Sequence, residues 1–176
     1  MADCDPILHL IPLHSYGAEI GVARGVSSEA FLLKPCRMLL VDPWAPTPGY
    51  EETLGSGDAF EEAMKRLDGY GGWTALRMTS AEAAEKFIHP VGFDFVFIDG
   101  NHKYEYVLQD CRLWWEHIRP GGVLCGHDFN LPCHEYGVQK AVKKFSWEAR
   151  NADVIEVHLA DETGGLDCWS IKKPCK

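Results

Sequence analysis

A chain of 176 residues with 46% hydrophobic and 24% charged side chains is about one globular domain, long enough to bury a core. Its net charge of -9, with no Lys/Arg cluster, argues against a nucleic-acid partner or an anionic membrane surface, both of which need basic groups. No stretch nears the roughly 20 apolar residues of a membrane span, the acidic start Met1-Ala2-Asp3-Cys4-Asp5 is unlike a secretory signal, and seven scattered cysteines without a C-x-x-C pair point to a reduced, cytoplasmic setting.

Strand-like and helix-like segments then alternate. A short apolar run, Ala18 to Val22, reads as the first buried strand and passes through Gly21 and Gly25 towards a helix with Ser27 or Ser28 as its N-cap. Met38 to Asp42 is the second strand, followed by an irregular Pro- and Gly-rich stretch from Pro43 to Gly57 of the length that usually carries function. Phe60, Ala63, Met64 and Leu67 share one helix face, and Thr74 to Met78 is the third strand. Phe93 to Asp99 is the fourth, followed by the helical stripe Val107, Cys111, Trp114 and Ile118, in which Trp114 and Trp115 read as packing residues. Val123 to Asp128 is the fifth strand, and Val138, Ala141, Val142 and Phe145 form a further helix face. Val154 to Leu159 and Cys168 to Ile171, joined by the turn-rich Asp161 to Asp167 with Gly164-Gly165, predict an antiparallel pair. The expectation is an α/β fold in one domain over residues 1–176: a doubly wound, seven-stranded, mostly parallel sheet whose last strand is antiparallel.

Two features point to a nucleoside-bearing cofactor. Glu19-Ile20-Gly21-Val22-Ala23-Arg24-Gly25 suits a tight strand-to-helix turn where backbone approaches a ligand, though short glycine motifs also occur in ordinary turns. About twenty residues on, Asp42 ends the next strand beside that turn, placed for ribose hydroxyls or, alternatively, for capping a loop. A dinucleotide site has glycine at the middle position, here Ala23, and Glu19 would repel a pyrophosphate while suiting the ammonium of a methionine moiety. S-adenosyl-L-methionine is favoured over NAD.

The E-x-G-x-x-x-G run, the acid after the second strand and the reversed seventh strand resemble the class I S-adenosylmethionine-dependent methyltransferases, with their Rossmann-like fold, from about Ser15 to Lys173. The resemblance implies that Glu19, Gly21 and Gly25 contact the methionine part, that Asp42, with Pro43 and Trp44, meets the ribose, and that Thr79, Ser80 and Ala81 lie along the adenine. A longer pattern runs from Phe97-Ile98-Asp99-Gly100-Asn101-His102-Lys103-Tyr104 through Val107, Asp110 and Trp114 to Arg119-Pro120-Gly121-Gly122-Val123-Leu124-Cys125-Gly126-His127-Asp128. It resembles the metal-dependent O-methyltransferases of the macrocin and mycinamicin type, within methyltransferase family 24, which act on sugar hydroxyls of natural products. That resemblance implies a small-molecule or sugar acceptor, Asp99 beside the cofactor, and magnesium held by Asp99, Asp128 and the residue before it. That residue is His127 here, a departure from a carboxylate, and imidazole suits zinc or iron better than magnesium.

Chemistry alone gives a parallel reading. Asp99 and Asp128 end successive strands expected to be neighbours, so both could hold a divalent ion in one crevice, with His127 or Asn130 near, or could merely cap loops. Zinc on Cys133 and His134 is disfavoured because the usual ligand spacings are missing. His102, three residues after Asp99, could take a hydroxyl proton as general base with Asp99 orienting it, or could be structural. An N- or C-methyltransferase without metal and a non-catalytic nucleotide-binding module remain alternatives, and a nicotinamide oxidoreductase is disfavoured by Ala23. Only about sixteen residues precede the first strand, so no N-terminal lid is expected. The acceptor pocket would come from the Pro43 to Gly57 loop, the Phe129 to Tyr136 loop, or a second subunit of a homo-oligomer.

Overall fold

The strand runs and helix stripes assemble around one sheet. The computed structural model describes residues 2–46, 58–87, 90–149, 155–159 and 167–175. The strands are β1 (Tyr16–Ile20), β2 (Arg37–Asp42), β3 (Trp73–Arg77), β4 (Phe93–Ile98), β5 (Ile118–Gly126), β6 (Glu156–His158) and β7 (Cys168–Lys172), in the order β3-β2-β1-β4-β5-β7-β6. The first five pair in parallel, and β7 lies between β5 and β6, antiparallel to both. The reversed last strand is as expected. The part of its turn holding Gly164 and Gly165 lies outside the described residues, as do Val154 and positions 47–57 of the long loop.

The helices are α1 (Val26–Leu32), α2 (Ala59–Leu67), α3 (Ser80–Lys86), α4 (Tyr104–His117) and α5 (Gly137–Glu148), with a 3-10 helix at Asp5–Leu10. Alternation along the strands builds two apolar layers. Leu39, Val41, Val96, Ile98 and Leu124 face α3, α4 and α5, where Trp114, Val142 and Phe145 are buried. Met38, Leu40, Phe95, Phe97 and Cys125 face the other side, under α1, α2 and the 3-10 helix. Burial of Trp114 at 0% exposure bears out its reading as a packing residue.

Two local expectations are corrected. Ile118 does not extend the α4 stripe: the helix ends at His117 and Ile118 turns extended (φ -85, ψ 132) to open β5 five residues before Val123. Pro120 cannot continue a helix, and the Pro120-Gly121-Gly122 run instead makes an irregularity in the β4–β5 ladder, where Phe93 pairs with Ile118 but Phe95 with Val123. A Cβ at Gly122 would stand 2.7–3.0 Å from Ile118, Asp94 and Arg119, so only glycine fits. Second, neither Ser27 nor Ser28 caps α1. Gly25 does, in the left-handed conformation (φ 75), while both serines are buried inside the helix.

Strand order reverses between β1 and β4, so a crevice opens at their carboxyl ends. One glycine on its flank is easily tested. A Cβ at Gly126, where β5 runs out, would sit 2.5 Å from Ile98 O and 2.7 Å from the buried Trp169 ring. Gly126→Ala is expected to lower unfolding free energy by about 1–3 kcal/mol in urea titration; an unchanged midpoint would show that this end of the sheet is looser than its packing indicates.

Candidate active site

The crevice holds a cavity of about 1080 Å³, which meets Glu19, Gly21, Asp42, Pro43, Trp44, Ser80, Asp99, His102, His127 and Asp128 along its wall. Of the residues expected to bind a cofactor, only Gly25 is absent from that wall. Its left-handed backbone serves the turn, and a Cβ added there would stand 3.4 Å from Ala63 of α2. Gly21 (φ +90) marks a close approach: a Cβ there would lie 2.4 Å from Asp99 O, so the ends of β1 and β4 touch through it.

Asp42 organises the turn. Its Oδ2 accepts the backbone N–H groups of Val22 and Ala23, each at 2.9 Å, and its Oδ1 accepts Trp44 N–H at 2.6 Å. The Trp44 indole N–H donates back to Ala23 O at 2.8 Å. Ala23 (φ 46) and Trp44 (φ 43) both sit in the left-handed region that non-glycine residues avoid, held there by these bonds. Glu19, 1% exposed, accepts the Ser28 hydroxyl at 2.5 Å. Burial pushes its carboxyl well above the usual carboxylate range, and nearby Asp99, Asp42 and Asp3 add to the push against the Ser28 bond.

Beside the glycine turn four titratable residues converge. His102 Nε2 is 2.7 Å from Asp128 Oδ2, and His127 Nδ1 is 3.1 Å from Asp128 Oδ1 and 3.9 Å from Asp99 Oδ1. Asp128, not Asp99, therefore faces the His102 ring, a correction to the expected orienting partner. Burial works to raise the Asp128 carboxyl, but the two imidazoles outweigh it and hold it far below its ordinary value. Burial likewise opposes protonation of His102 and His127, yet the carboxylates leave both raised. Asp99 is raised, by burial first, with His127 opposing and Asp128 adding. Asp128 itself is strained (φ 62), and Gly137 lets α5 start 2.4 Å, measured from an added Cβ, from His102 O.

Ligand atoms of Asp99, His102 and Asp128 lie within 4.8 Å of one another, as do those of Asp3, Asp99 and His127. The expected set Asp99, His127 and Asp128 is neither of these two groups, although His127 lies beside both carboxylates. Asn130 is in neither: its amide donates to Asp167 and it does not reach the cavity. Asp3 was unforeseen, and so was the N-terminal segment as part of the wall, since no periodicity marks it. Asp110 also lines the cavity at 6% exposure, and its signal was legible as an acid inside the apolar stripe Val107, Cys111, Trp114. The six cysteines described are free, and among the described residues no helix is long and apolar enough to cross a membrane.

The model of methyltransferase family 24, a methyltransferase domain, matches residues 18–129. This chain belongs to that family. A short stretch of 40 residues is also 38% identical to uncharacterized protein R132 of Acanthamoeba polyphaga mimivirus, covering 23% of this chain and only 18% of that protein. Solved methyltransferases share the fold. The O-methyltransferase TomG of Streptomyces achromogenes superposes with a TM-score of 0.69 at 17% identity, over 97% of this chain and 79% of that one. The N-methyltransferase NodS of Bradyrhizobium japonicum WM9 gives 0.63 at 16%, over 92% and 87%. An rRNA methylase of Streptococcus thermophilus gives 0.68 at 10%, over 97% and 93%. Oxygen, nitrogen and RNA methylases fit comparably, so the likeness identifies the methyltransferase fold and leaves the acceptor to the site itself.

Two expected outcomes follow for the folded methyltransferase. Asp42→Ala frees three backbone N–H groups and should lower unfolding free energy by about 1–3 kcal/mol even without ligand; an Asp42 acting on ligand alone would leave it unchanged. Burial pushes Asp110 from an ordinary 3.8 to about 7, against the Ser80 hydrogen bond. Between those values the folded protein holds a proton that the unfolded chain releases, so this contribution is fully present below about 3.8 and is lost as pH rises through about 7. Urea titrations at pH 5 and pH 8 should show a fall in wild type that Asp110→Asn makes smaller, the remainder coming from Glu19 and Asp99. Parallel pH profiles for the two proteins would contradict the assignment.

Proposed function

We propose that this methyltransferase transfers the methyl group of S-adenosyl-L-methionine to a hydroxyl oxygen of a small molecule or sugar. The observation that carries the reading is the convergence of His102, Asp128, Asp99 and His127 beside the glycine turn. The cavity wall bears Asp3, Glu19, Asp42, Asp99, Asp110 and Asp128 but, among the described residues, only Arg24 as a Lys or Arg, and Arg24 is paired with Glu62 at 3.2 Å. Such a field attracts a sulfonium and an ammonium and repels a pyrophosphate or an anionic acceptor. Glu19 under the turn suits the methionine ammonium, Asp42 with Pro43 and Trp44 the ribose, and Ser80 borders the adenine. Gly21 admits the ligand beside Asp99.

The chemistry asked of the residues is proton removal and alignment. His102 and Asp128 form a pair in which the carboxylate fixes the ring, and an Nε2–H directed at Asp128 leaves Nδ1 to accept the acceptor's proton. Oxygen attacks the methyl carbon in line with the departing sulfur; the C–S bond breaks as the C–O bond forms, and the hydroxyl proton passes to His102. Holding the two reactants in that line supplies much of the rate.

Two groups of donors also fit a divalent ion, Asp99 with His102 and Asp128, or Asp99 with Asp3 and His127, and either would hold it through Asp99. The one imidazole among the donors of either group suits zinc or iron better than magnesium. When bound, the ion would lower the pKa of the acceptor hydroxyl.

Methyl transfer from labelled S-adenosyl-L-methionine to a panel of sugar and phenol hydroxyls provides the test. His102→Ala should cut turnover by roughly 10²–10⁴ while S-adenosylhomocysteine binds as to wild type. Wild-type turnover in that variant would make His102 structural. Calorimetry of the chelator-treated protein with manganese or zinc should give a binding isotherm that Asp99→Asn abolishes. With no isotherm, and turnover untouched by chelator, the ion is dropped and an acceptor activated by His102 alone remains.

A further inference from the structure

Among the described residues, the cavity wall has two members outside residues 18–129, the stretch that the family model matches: Asp3 and Leu131. Asp3 is the charged one, and its carboxylate makes no hydrogen bond or ion pair among the described residues. Backbone contacts set its place. The Cys168 thiol of β7 donates to Asp3 O at 3.0 Å, and the neighbouring Cys4 thiol donates to Ser27 O of α1 at 3.6 Å. The segment is thereby held against α1 and β7, with Asp3 close enough to Glu19 and Asp99 to oppose their ionisation. An unpaired acid added to a wall of acids is unfavourable until a cation comes to it.

The groups around Asp3 divide into those already engaged and those left open. Asp128 is engaged on both oxygens, Oδ2 by His102 Nε2 at 2.7 Å and Oδ1 by His127 Nδ1 at 3.1 Å. To ligate an ion it would have to give up a contact that fixes one of these rings. Asp99 is open, since the closest imidazole nitrogen, His127 Nδ1, stands 3.9 Å away, beyond a hydrogen bond. His127 is half engaged. Its side chain is only 10% exposed, and an Nδ1–H given to Asp128 leaves Nε2 with a lone pair and no partner among the described residues. A ring pinned through one nitrogen by a carboxylate is how ligating imidazoles are held. Asp3, Asp99 and His127 each offer a ligand atom within 4.8 Å of the other two.

We propose that Asp3, Asp99 and His127 together bind one divalent transition ion, while Asp128 orients the two histidines and is not a ligand. This rests on the reading of the crevice as an ion site and chooses between its two groups of donors. Two carboxylates and one imidazole suit zinc or iron better than magnesium. The ion would tie the N-terminal segment to the ends of β4 and β5 and neutralise the charge that Asp3 brings. It would also leave the His102–Asp128 pair intact for proton removal.

The test is zinc calorimetry on the chelator-treated protein in the absence of S-adenosylhomocysteine. Wild type should bind one zinc per chain, and Asp3→Asn should weaken that binding about tenfold or more. Amide hydrogen exchange gives a second readout. Zinc should slow exchange across Asp5–Leu10 in wild type and leave it unchanged there in Asp3→Asn. Wild-type zinc affinity in Asp3→Asn, with Asp99→Asn silent, overturns the assignment and returns the ion to Asp99, His102 and Asp128. An Asp3→Asn protein that keeps its zinc but loses affinity for S-adenosylhomocysteine overturns it too, and makes Asp3 a contact of the cofactor. No zinc isotherm in wild type brings down the ion reading itself, a result distinct from the other two.

Discussion

The close approach of β1 and β4 at their carboxyl ends governs the rest of the site. Gly21 has no side chain there, so the glycine turn and the Asp99 main chain come into contact, with Asp99 N–H donating to Ile20 O at 2.8 Å and Gly21 N–H to Val41 O at 2.9 Å. A wider spacing would separate the turn that lines the cavity from the strand end that carries Asp99 and, three residues on, His102. Asp42 finishes the arrangement from β2 by gathering three backbone N–H groups, so that two non-glycine residues keep left-handed conformations on the cavity wall.

Charge is the second constraint. The wall concentrates carboxyl groups in a place sheltered from water, where each disfavours ionisation of the next. The protein meets this in three ways. Glu19 and Asp110 are raised, above all by burial, and each takes a serine hydroxyl. Asp128 remains ionised because two imidazoles flank it. The negative field that remains is the one a sulfonium cofactor, as proposed, would neutralise on binding.

Most of the architecture was legible in the chain. Short apolar runs ending in acids and separated by amphipathic stripes are what strands covered on both faces require, and they gave the sheet, its two layers and the reversed last strand. The site was legible where it depends on strand ends, because Gly21, Asp42, Asp99 and Asp128 each follow a run whose direction is known. It failed where side chains reach across the fold. The serines of the first turn looked like caps because capping is their commonest local use, whereas Ser28 is drawn inward by Glu19, a partner nine residues away. Likewise His102 looked ready to pair with its near neighbour Asp99, but β5 brings Asp128 closer. Asp3 has no pattern around it, and only the packing of the N-terminal segment carries it to Asp99 and His127.

The central claim is that one cavity holds a methyl-donor nucleoside at the glycine turn with the His102–Asp128 pair facing its reactive end. A crystal structure with S-adenosylhomocysteine tests it most directly. The account predicts the amino-acid end at Gly21 and Glu19, the ribose hydroxyls against Asp42, and the sulfur open towards His102. A ligand bound away from the glycine turn, or one whose sulfur faces away from His102 and Asp99, would contradict it.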